Sequence, residues 1–237
     1  MKDIIIPFGW KKLDEKLNGG LYGKEITMIY GSYGTGKTLL CLMASISCIE
    51  MGFKTIFINT ETPFAIERIV QLIRNRGGEE CGKKELIEKL EKLMLFNLND
   101  FDEQMYLINK LELFVTQGVK LIVFDSIIDK YRESLLGKKT AIKSSKMLNE
   151  QIAFLKYVAN KNYVSILLTG QVTEVHGHLK SEVVASKIIK FWCDNIIRLE
   201  REYLGRRLII EKAKKEVKEI SIPYKITSKG IEDECSI

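Results

Sequence analysis

The eight residues GSYGTGKT, Gly31 to Thr38, constrain this chain more than any other stretch, because they match the phosphate-loop pattern G-x-x-x-x-G-K-[ST] at every fixed position. Glycines let the backbone turn tightly and direct its N–H groups towards one point, which makes a nest for anions. A helix that begins near the lysine adds the positive end of its dipole to the same place. The predicted phosphate contacts are Gly31, Ser32, Tyr33, Gly34, Thr35, Gly36, Lys37 and Thr38.

The residues on either side of the loop supply the context that the motif requires. The apolar run Glu25–Tyr30 suits a buried parallel strand, and Thr38–Met51 suits a well-buried helix. Lys37 is expected to reach the β- and γ-phosphates, and the Thr38 hydroxyl to ligate Mg²⁺. The sequence therefore predicts a nucleoside triphosphate site.

Short apolar strands alternate with helical segments along the chain, which predicts a mostly parallel sheet flanked by helices. After Trp192, strands separated by short charged turns predict an antiparallel extension at the sheet edge. We expect an α/β fold in one domain over residues 1–237. The expected strands are Glu25–Tyr30, Lys54–Asn59, Leu93–Leu98, Leu121–Asp125 and Val164–Thr169, and the expected helices include Ala65–Arg76, Asp102–Val115 and Met147–Asn160.

The composition argues against a membrane helix, a signal peptide and a zinc site. No apolar run approaches the roughly 18 residues of a membrane helix, and the amino-terminal MKDIIIPFGW does not resemble a signal peptide. The five cysteines form no C-x-x-C pair and there are only two histidines, which argues against a zinc site. We expect a cytoplasmic protein with reduced thiols.

Three polar side chains follow predicted strands, at the edge where open α/β sheets bind their ligands. Asp125 ends KLIVFD and would hold Mg²⁺ through water, or in the simpler interpretation cap a helix. Glu61 follows KTIFIN and would deprotonate the water that attacks the γ-phosphate, unless Thr60 or Thr62 caps the following helix and Glu61 only complements its dipole. Gln171 follows VSILLT, where an amide beside the γ-phosphate would sense its presence.

Taken together, these motifs resemble the RecA/RadA recombinase superfamily over nearly the whole chain, and most closely its short archaeal paralogues. The resemblance implies a RecA-like phosphate-loop NTPase core, ATP and Mg²⁺ as cofactors, and slow ATP hydrolysis in recombination and DNA repair. It runs through GWKKLDEKLNGGLYGKEITMIYG, FINTETPFAIER, LIVFDSIIDKYR, LNEQIAFLKYVANKNYVSILLTGQV, DNIIRLE, RRLIIEKAK and YKITSKGIED.

The resemblance implies a role for each residue that matches a superfamily motif. Arg68 would stack on adenine, and Asp125 would be the Walker B acid that holds the metal with Thr38. Lys212 and Lys214, in EKAK, resemble paired basic residues that reach the ATP of a neighbouring subunit, which implies an ATP-stabilised homo-oligomer. The residues implied in catalysis are Lys37, Glu61, Gln171, Lys212 and Lys214.

Positive charge is concentrated where the superfamily binds DNA. The net charge is +6, and Lys130–Met147, directly after the Walker B strand, has six basic residues against one acid. Such clustering is typical of a surface that binds nucleic-acid phosphates, although many such runs are only a solvated face. Tyr131 would either stack on a base or be buried. The predicted contacts to DNA, expected to be single-stranded and of any sequence, are Arg132, Lys138, Lys139, Lys143 and Lys146.

Two other functions remain open at this point. A KaiC-like or archaellum-motor-like ATPase shares the fold and the loop, and would switch protein partners without binding DNA. A small-molecule kinase needs a lid with clustered arginines, and none stands out near the loop. Because the loop comes so early, we expect no separate amino-terminal DNA-binding domain, which favours a paralogue that assists a recombinase partner.

Overall fold

The computed structural model describes residues 4–60, 66–77, 82–136, 140–173, 182–203, 205–214 and 220–234. Within these ranges the strands are β1 (Ile5–Ile6), β2 (Leu21–Tyr22), β3 (Ile26–Gly31), β4 (Lys54–Asn59), β5 (Leu93–Asn97), β6 (Val119–Asp125), β7 (Ser165–Gly170), β8 (Val172–Thr173), β9 (Glu182–Val183), β10 (Asn195–Glu202), β11 (Gly205–Lys212), β12 (Ile220–Thr227) and β13 (Gly230–Asp233). The helices are α1 (Lys11–Lys16), α2 (Lys37–Glu50), α3 (Ile66–Gly77), α4 (Lys83–Leu90), α5 (Phe101–Phe114), α6 (Asp129–Leu136), α7 (Ala141–Asn162) and α8 (Ser186–Trp192).

A sheet of nine strands, in the order β13-β12-β11-β10-β3-β7-β6-β4-β5, organises the described part of the chain. The six strands from β10 to β5 are parallel to their neighbours, and β11, β12 and β13 continue the sheet with antiparallel pairing. Every residue of β3 and β7 is buried, as expected for parallel strands with helices on both faces. The predicted fold class, including the antiparallel extension, is confirmed.

Two hydrophobic cores lie on opposite faces of this sheet. One contains the buried residues of α1, α2 and α3, and the other contains those of α5, α6, α7 and α8. Helix α2 is buried along nearly its whole length, because it packs against the sheet, α3 and the amino-terminal strand β1. Among the described residues, none of the helices combines the length and apolar character that a membrane span requires.

The five strands that the sequence predicts with bounds lie within two residues of those bounds, as β3, β4, β5, β6 and β7, whereas one helix begins earlier than predicted. Helix α7 starts at Ala141 and not at Met147, because the Thr140 hydroxyl accepts a hydrogen bond from the Lys143 N–H (3.3 Å) and caps it. Its first turns carry exposed side chains such as Ile142, so the apolar spacing that marks the rest of the helix is absent there. The described residues of the basic segment are therefore almost all helical, in α6 up to Leu136 and in α7 from Ala141.

The amino-terminal segment is fixed by one carboxylate. Asp14 accepts hydrogen bonds from the N–H groups of Phe8 (2.6 Å) and Gly9 (3.1 Å), and Arg76 of α3 donates to the Gly9 carbonyl (3.2 Å). Burial raises the pKa of Asp14 from 3.8 to about 6, against smaller opposite effects of these amides and of Arg76. The folded state therefore binds this proton more tightly than the unfolded chain does.

This pKa shift predicts a specific pH dependence of stability. The contribution of Asp14 is fully present below pH 3.8 and is lost as the pH rises through about 6. Asp14→Asn cannot bind or release this proton. From acidic to neutral pH, the free energy of unfolding of the wild type should therefore fall relative to that of Asp14→Asn, by about 1 to 2 kcal/mol after allowance for partial exposure. Urea unfolding at both pH values measures the difference, with the exposed Asp102→Asn as control. Parallel pH curves for Asp14→Asn and wild type would contradict the prediction.

Candidate nucleotide-binding site

The phosphate loop connects β3 to α2 with the backbone that its glycines predict. Gly34 (φ 75°) and Gly36 (φ 96°) adopt the left-handed conformation, and α2 begins at Lys37 directly after Gly36. A Cβ at Gly31 would lie 2.2 Å from the Leu199 carbonyl oxygen, so only glycine fits beside β10. The loop therefore has the local geometry of an anion-binding nest at a helix amino terminus.

Internal hydrogen bonds hold the loop from behind. The buried Thr35 hydroxyl donates to the Ser32 carbonyl (2.8 Å), and the Tyr224 hydroxyl on β12 donates to the Thr35 carbonyl (2.6 Å). Burial raises the pKa of Tyr224, so it remains a neutral donor. The antiparallel extension thereby supports the loop, a connection that no motif in the sequence predicts.

Lys37 lies over the same loop. Its side chain is largely buried, and its ammonium donates to the carbonyls of Gly31 and Ser32, each at 3.0 Å. A charged amine beside a ring of backbone amides is the arrangement that binds phosphate oxygens. The contact of Lys37 with the β- and γ-phosphates stays a prediction.

Three strand ends next to the loop are joined through Asp125. This buried carboxylate ends β6 and accepts a hydrogen bond from the Thr169 hydroxyl on β7 (2.6 Å). Thr60, after β4, donates to the Ser126 carbonyl (2.8 Å), and the Ser126 hydroxyl donates to the Thr169 carbonyl (3.1 Å). The sequence indicates Asp125, and it indicates Thr60 only as a possible helix cap. Thr169 has no signal in the sequence, because a threonine at a strand end is unremarkable.

Gln171 lies in a cleft beside the phosphate loop. The cleft is also lined by Tyr33, Thr60 and Arg132, and the Arg132 guanidinium donates a hydrogen bond to the Gln171 side-chain oxygen. Arg132 belongs to α6, in the predicted DNA-binding segment. The predicted sensor of the γ-phosphate and one predicted DNA contact are thus in direct contact.

Arg68 lines a different groove on the α3 side of the loop. Leu39 and Leu72 supply apolar walls, and Thr227 and Ser228 of the β12–β13 turn close the other side. A guanidinium beside apolar walls is suited to stacking on a planar base. This placement is compatible with the role that the resemblance implies for Arg68.

Six of the remaining predicted residues fall into three groups: one is buried, two are exposed on α7, and three lie outside the described part of the chain. Tyr131 is buried, its ring packs against Phe101 (6.1 Å between centroids), and its hydroxyl lies 3.0 Å from that of Ser145. The alternative of base stacking is therefore wrong, and Tyr131 is a core residue.

Lys143 and Lys146 are on the exposed side of α7. Glu61, Lys138 and Lys139 lie outside the described residues.

The two lysines predicted to act on a neighbour lie far from their own phosphate loop. Lys212 on β11 pairs with Ile196 on β10, and Ile196 pairs with Met28 on β3. Lys212 is therefore two strands away from β3, and at the height of Met28, which is three residues before Gly31. Its ammonium donates to the carbonyls of Lys190 (3.0 Å) and Cys193 (2.6 Å), at the end of α8. Lys214 lies further towards the amino edge of the sheet, 3.2 Å from Glu25.

A glycine-rich loop, a lysine and a buried aspartate at the carboxyl edge of a parallel sheet define a phosphate-loop nucleotide-binding protein. The chain belongs to the Rad51 family, whose sequence profile matches residues 1–234.

Named relatives agree with this assignment. The chain is 32% identical over 221 residues to a protein of Methanococcus maripaludis described as "DNA repair and recombination protein RadB", covering 93% of this chain and 96% of that one. A protein of the same description from Methanocaldococcus jannaschii is 34% identical over 222 residues, covering 93% and 98%. The crystal structure of the RadB recombinase superposes with a TM-score of 0.80 at 28% identity, covering 97% of this chain and all of the other.

The hydrogen bond from Tyr224 generates a prediction about the loop. Tyr224→Phe keeps the ring contact with Trp10 but removes the donor to the Thr35 carbonyl. We expect the free energy of unfolding to fall by about 1 to 2 kcal/mol, because a buried carbonyl loses its partner. The affinity for ATP should also fall severalfold, because the loop is less firmly held. Denaturant unfolding and titration with a fluorescent ATP analogue measure both effects.

Tyr106→Phe, at an exposed position of α5, is the matched control. It should leave stability and nucleotide affinity unchanged. Equal nucleotide affinity of Tyr224→Phe and Tyr106→Phe would show that the hydroxyl does not support the loop.

Proposed function

We propose that this chain is an ATP-binding, slowly ATP-hydrolysing recombinase paralogue that binds DNA and assists homologous recombination and repair. One observation carries the proposal: the phosphate loop, Asp125 and Gln171 meet at one edge of the sheet, and the basic segment leaves from that edge in contact with Gln171. Membership of the Rad51 family, and relatives described as DNA repair and recombination proteins, support it.

The side chains at this edge fit Mg²⁺-bound ATP. Lys37 and the loop amides would bind the phosphates, with Thr38 and Asp125 holding the metal, Asp125 through water. The buried Asp125 carboxylate is oriented by Thr169, so it is prepared for a hard cation. A bound Mg²⁺ supplies charge neutralisation at the phosphates. Arg68 would contact the base from its groove.

Hydrolysis needs a base and a sensor as well. The Thr60 hydroxyl, at the end of β4, donates to the Ser126 carbonyl, and Glu61 is the next residue in the sequence. Glu61 would deprotonate the attacking water. Gln171, one strand away from Asp125, would report the state of the γ-phosphate to the residues that follow it. Its contact with Arg132 supplies a physical link to the proposed DNA surface.

The alternative, a KaiC-like or archaellum-motor-like switch for protein partners, is not favoured by the relatives described above. It makes a different prediction, because such a protein would assemble with ATP and be indifferent to DNA. Binding to DNA therefore discriminates between the two functions.

The proposed DNA surface is tested by charge reversal on α7. Lys143→Glu/Lys146→Glu should weaken binding to single-stranded DNA by about tenfold or more at low salt, because phosphate contacts dominate sequence-tolerant affinity. The slope of log affinity against log salt should also become shallower, by about 0.7 for each DNA phosphate that the variant no longer neutralises. Fluorescence anisotropy with a labelled oligonucleotide over a salt series, with and without an ATP analogue, measures both.

Lys83→Glu/Lys84→Glu reverses two exposed lysines in the first turn of α4 and serves as the matched control. Equal weakening by both double variants would mean that only net charge matters. Absence of DNA binding by the wild type at low salt, in every nucleotide state, would favour the protein-switch alternative.

The proposed sharing of the ATP site between subunits is tested by mixing two variants. Lys37→Ala removes the phosphate contact and Lys212→Ala removes the lysine proposed to act on a neighbour, so each alone should lose most of its ATP hydrolysis. A mixture should recover part of the wild-type rate, because some interfaces then combine an intact loop with an intact lysine. Lys187→Ala, an exposed lysine on α8, should keep its activity. A mixture no more active than its components would contradict the sharing.

A further inference from the structure

Lys214 is held within its own chain by a buried carboxylate. Its ammonium lies 3.2 Å from the Glu25 side chain, and the two side chains differ sharply in exposure, at 60% for Lys214 and 10% for Glu25. The lysine has a flexible four-carbon stem, whereas the carboxylate sits just before the buried strand β3. One partner of this ion pair is therefore fixed, and the other is free to move.

Asn195 holds the Glu25 carboxylate by a hydrogen bond. The Asn195 amide donates to the second Glu25 oxygen (3.0 Å) and lies 3.1 Å from the Thr27 hydroxyl. The Asn195 side-chain oxygen accepts from the Lys214 backbone N–H (3.2 Å). Asn195 thus joins Glu25 to the main chain of Lys214. Because Asn195 already holds the Glu25 carboxylate, the side chain of Glu25 does not have to be ordered when the ion pair forms.

Lys214 cannot leave Glu25 for the phosphate loop of its own chain. Glu25 lies just before β3 and precedes Gly31, the last residue of that strand, by six residues, which places the two about 20 Å apart at the rise of a β-strand. A lysine side chain does not span that distance. Any triphosphate that Lys214 contacts must belong to another molecule.

We propose that Glu25 is a positioning residue, which restrains Lys214 in the unassembled chain and releases it to the triphosphate of a neighbouring copy. The inference rests on the proposed sharing of the ATP site between subunits and extends it from Lys212 to Lys214. Lys214 is the exposed partner of the pair, so solvent screens its attraction to Glu25, and a more highly charged phosphate can compete with the single carboxylate for it. Lys212 differs from Lys214 in its contacts, because its ammonium donates to two neutral carbonyls and not to a carboxylate.

Glu25→Gln tests this proposal directly. Glutamine keeps the size of the side chain and an oxygen for Asn195, but removes the charge that competes for Lys214. The protein concentration that gives half-maximal ATP turnover should fall by about 2- to 5-fold, because no ion pair has to be broken on assembly. The rate per site at saturating protein should stay unchanged. A residue with a merely structural role would alter the rate or the stability without lowering this concentration.

Companion variants assign the effect to Lys214. Glu25→Gln/Lys214→Ala should behave as Lys214→Ala alone, because the carboxylate acts only through that lysine. Glu112→Gln removes the carboxylate of another lysine pair, Glu112 with Lys161 (2.9 Å), and should not change the concentration dependence. Glu25→Asp withdraws the carboxylate by one methylene but keeps the charge. It should also lower the protein concentration that gives half-maximal turnover, as Glu25→Gln does. If Glu25→Gln does not fold, Glu25→Asp takes its place in the test.

The outcomes separate this inference from the function on which it rests. If Lys214→Ala reduces turnover but neither Glu25 variant lowers the half-maximal concentration, sharing of the site stands and the role of Glu25 is overturned. If the Glu25 variants raise that concentration, the carboxylate helps assembly and the proposal is also overturned. If Lys214→Ala has no effect and the Lys37→Ala and Lys212→Ala mixture shows no recovery, the shared site itself fails.

Discussion

A loop that turns its N–H groups towards one point must turn carbonyls away from it, and buried carbonyls need donors. In this protein the Ser32 carbonyl is satisfied by Thr35 and Lys37, and the Thr35 carbonyl by Tyr224. The last of these donors comes from β12, close to the other end of the chain. Strand β12 therefore supports the phosphate loop, although it contains none of the predicted phosphate contacts.

This dependence explains what could and could not be predicted from the sequence. The phosphate loop and the parallel strands were predictable, because glycines at fixed spacing and short apolar runs reflect local backbone requirements. Asp125 was predictable from its place at a strand end. Thr169 and Tyr224 were not, because each acts through one hydrogen bond to a residue distant in sequence. The early start of α7 was missed for a different reason, since a cap and exposed lysines leave no apolar period.

The sheet also separates two sets of basic side chains. Lys37 and Arg132 belong to the carboxyl edge, together with the loop and Gln171, whereas Lys214 is held next to Glu25 at the amino edge. A single strand, β3, runs between Glu25 and the loop, and its length sets their separation. Because strands do not shorten, this division is a rigid property of the fold and does not depend on side-chain rotamers.

The two tryptophans of the chain lie beside these two regions. Trp10 packs against Tyr224 behind the phosphate loop, and its indole N–H donates to Asp233 (2.9 Å). Trp192 ends α8, whose final carbonyls hold Lys212, and its indole N–H donates to Asn149 (2.9 Å). Each indole thus provides an intrinsic optical reporter. Variants that keep one tryptophan at a time would distinguish nucleotide binding at the loop from rearrangement around the lysines by emission alone, without an attached label.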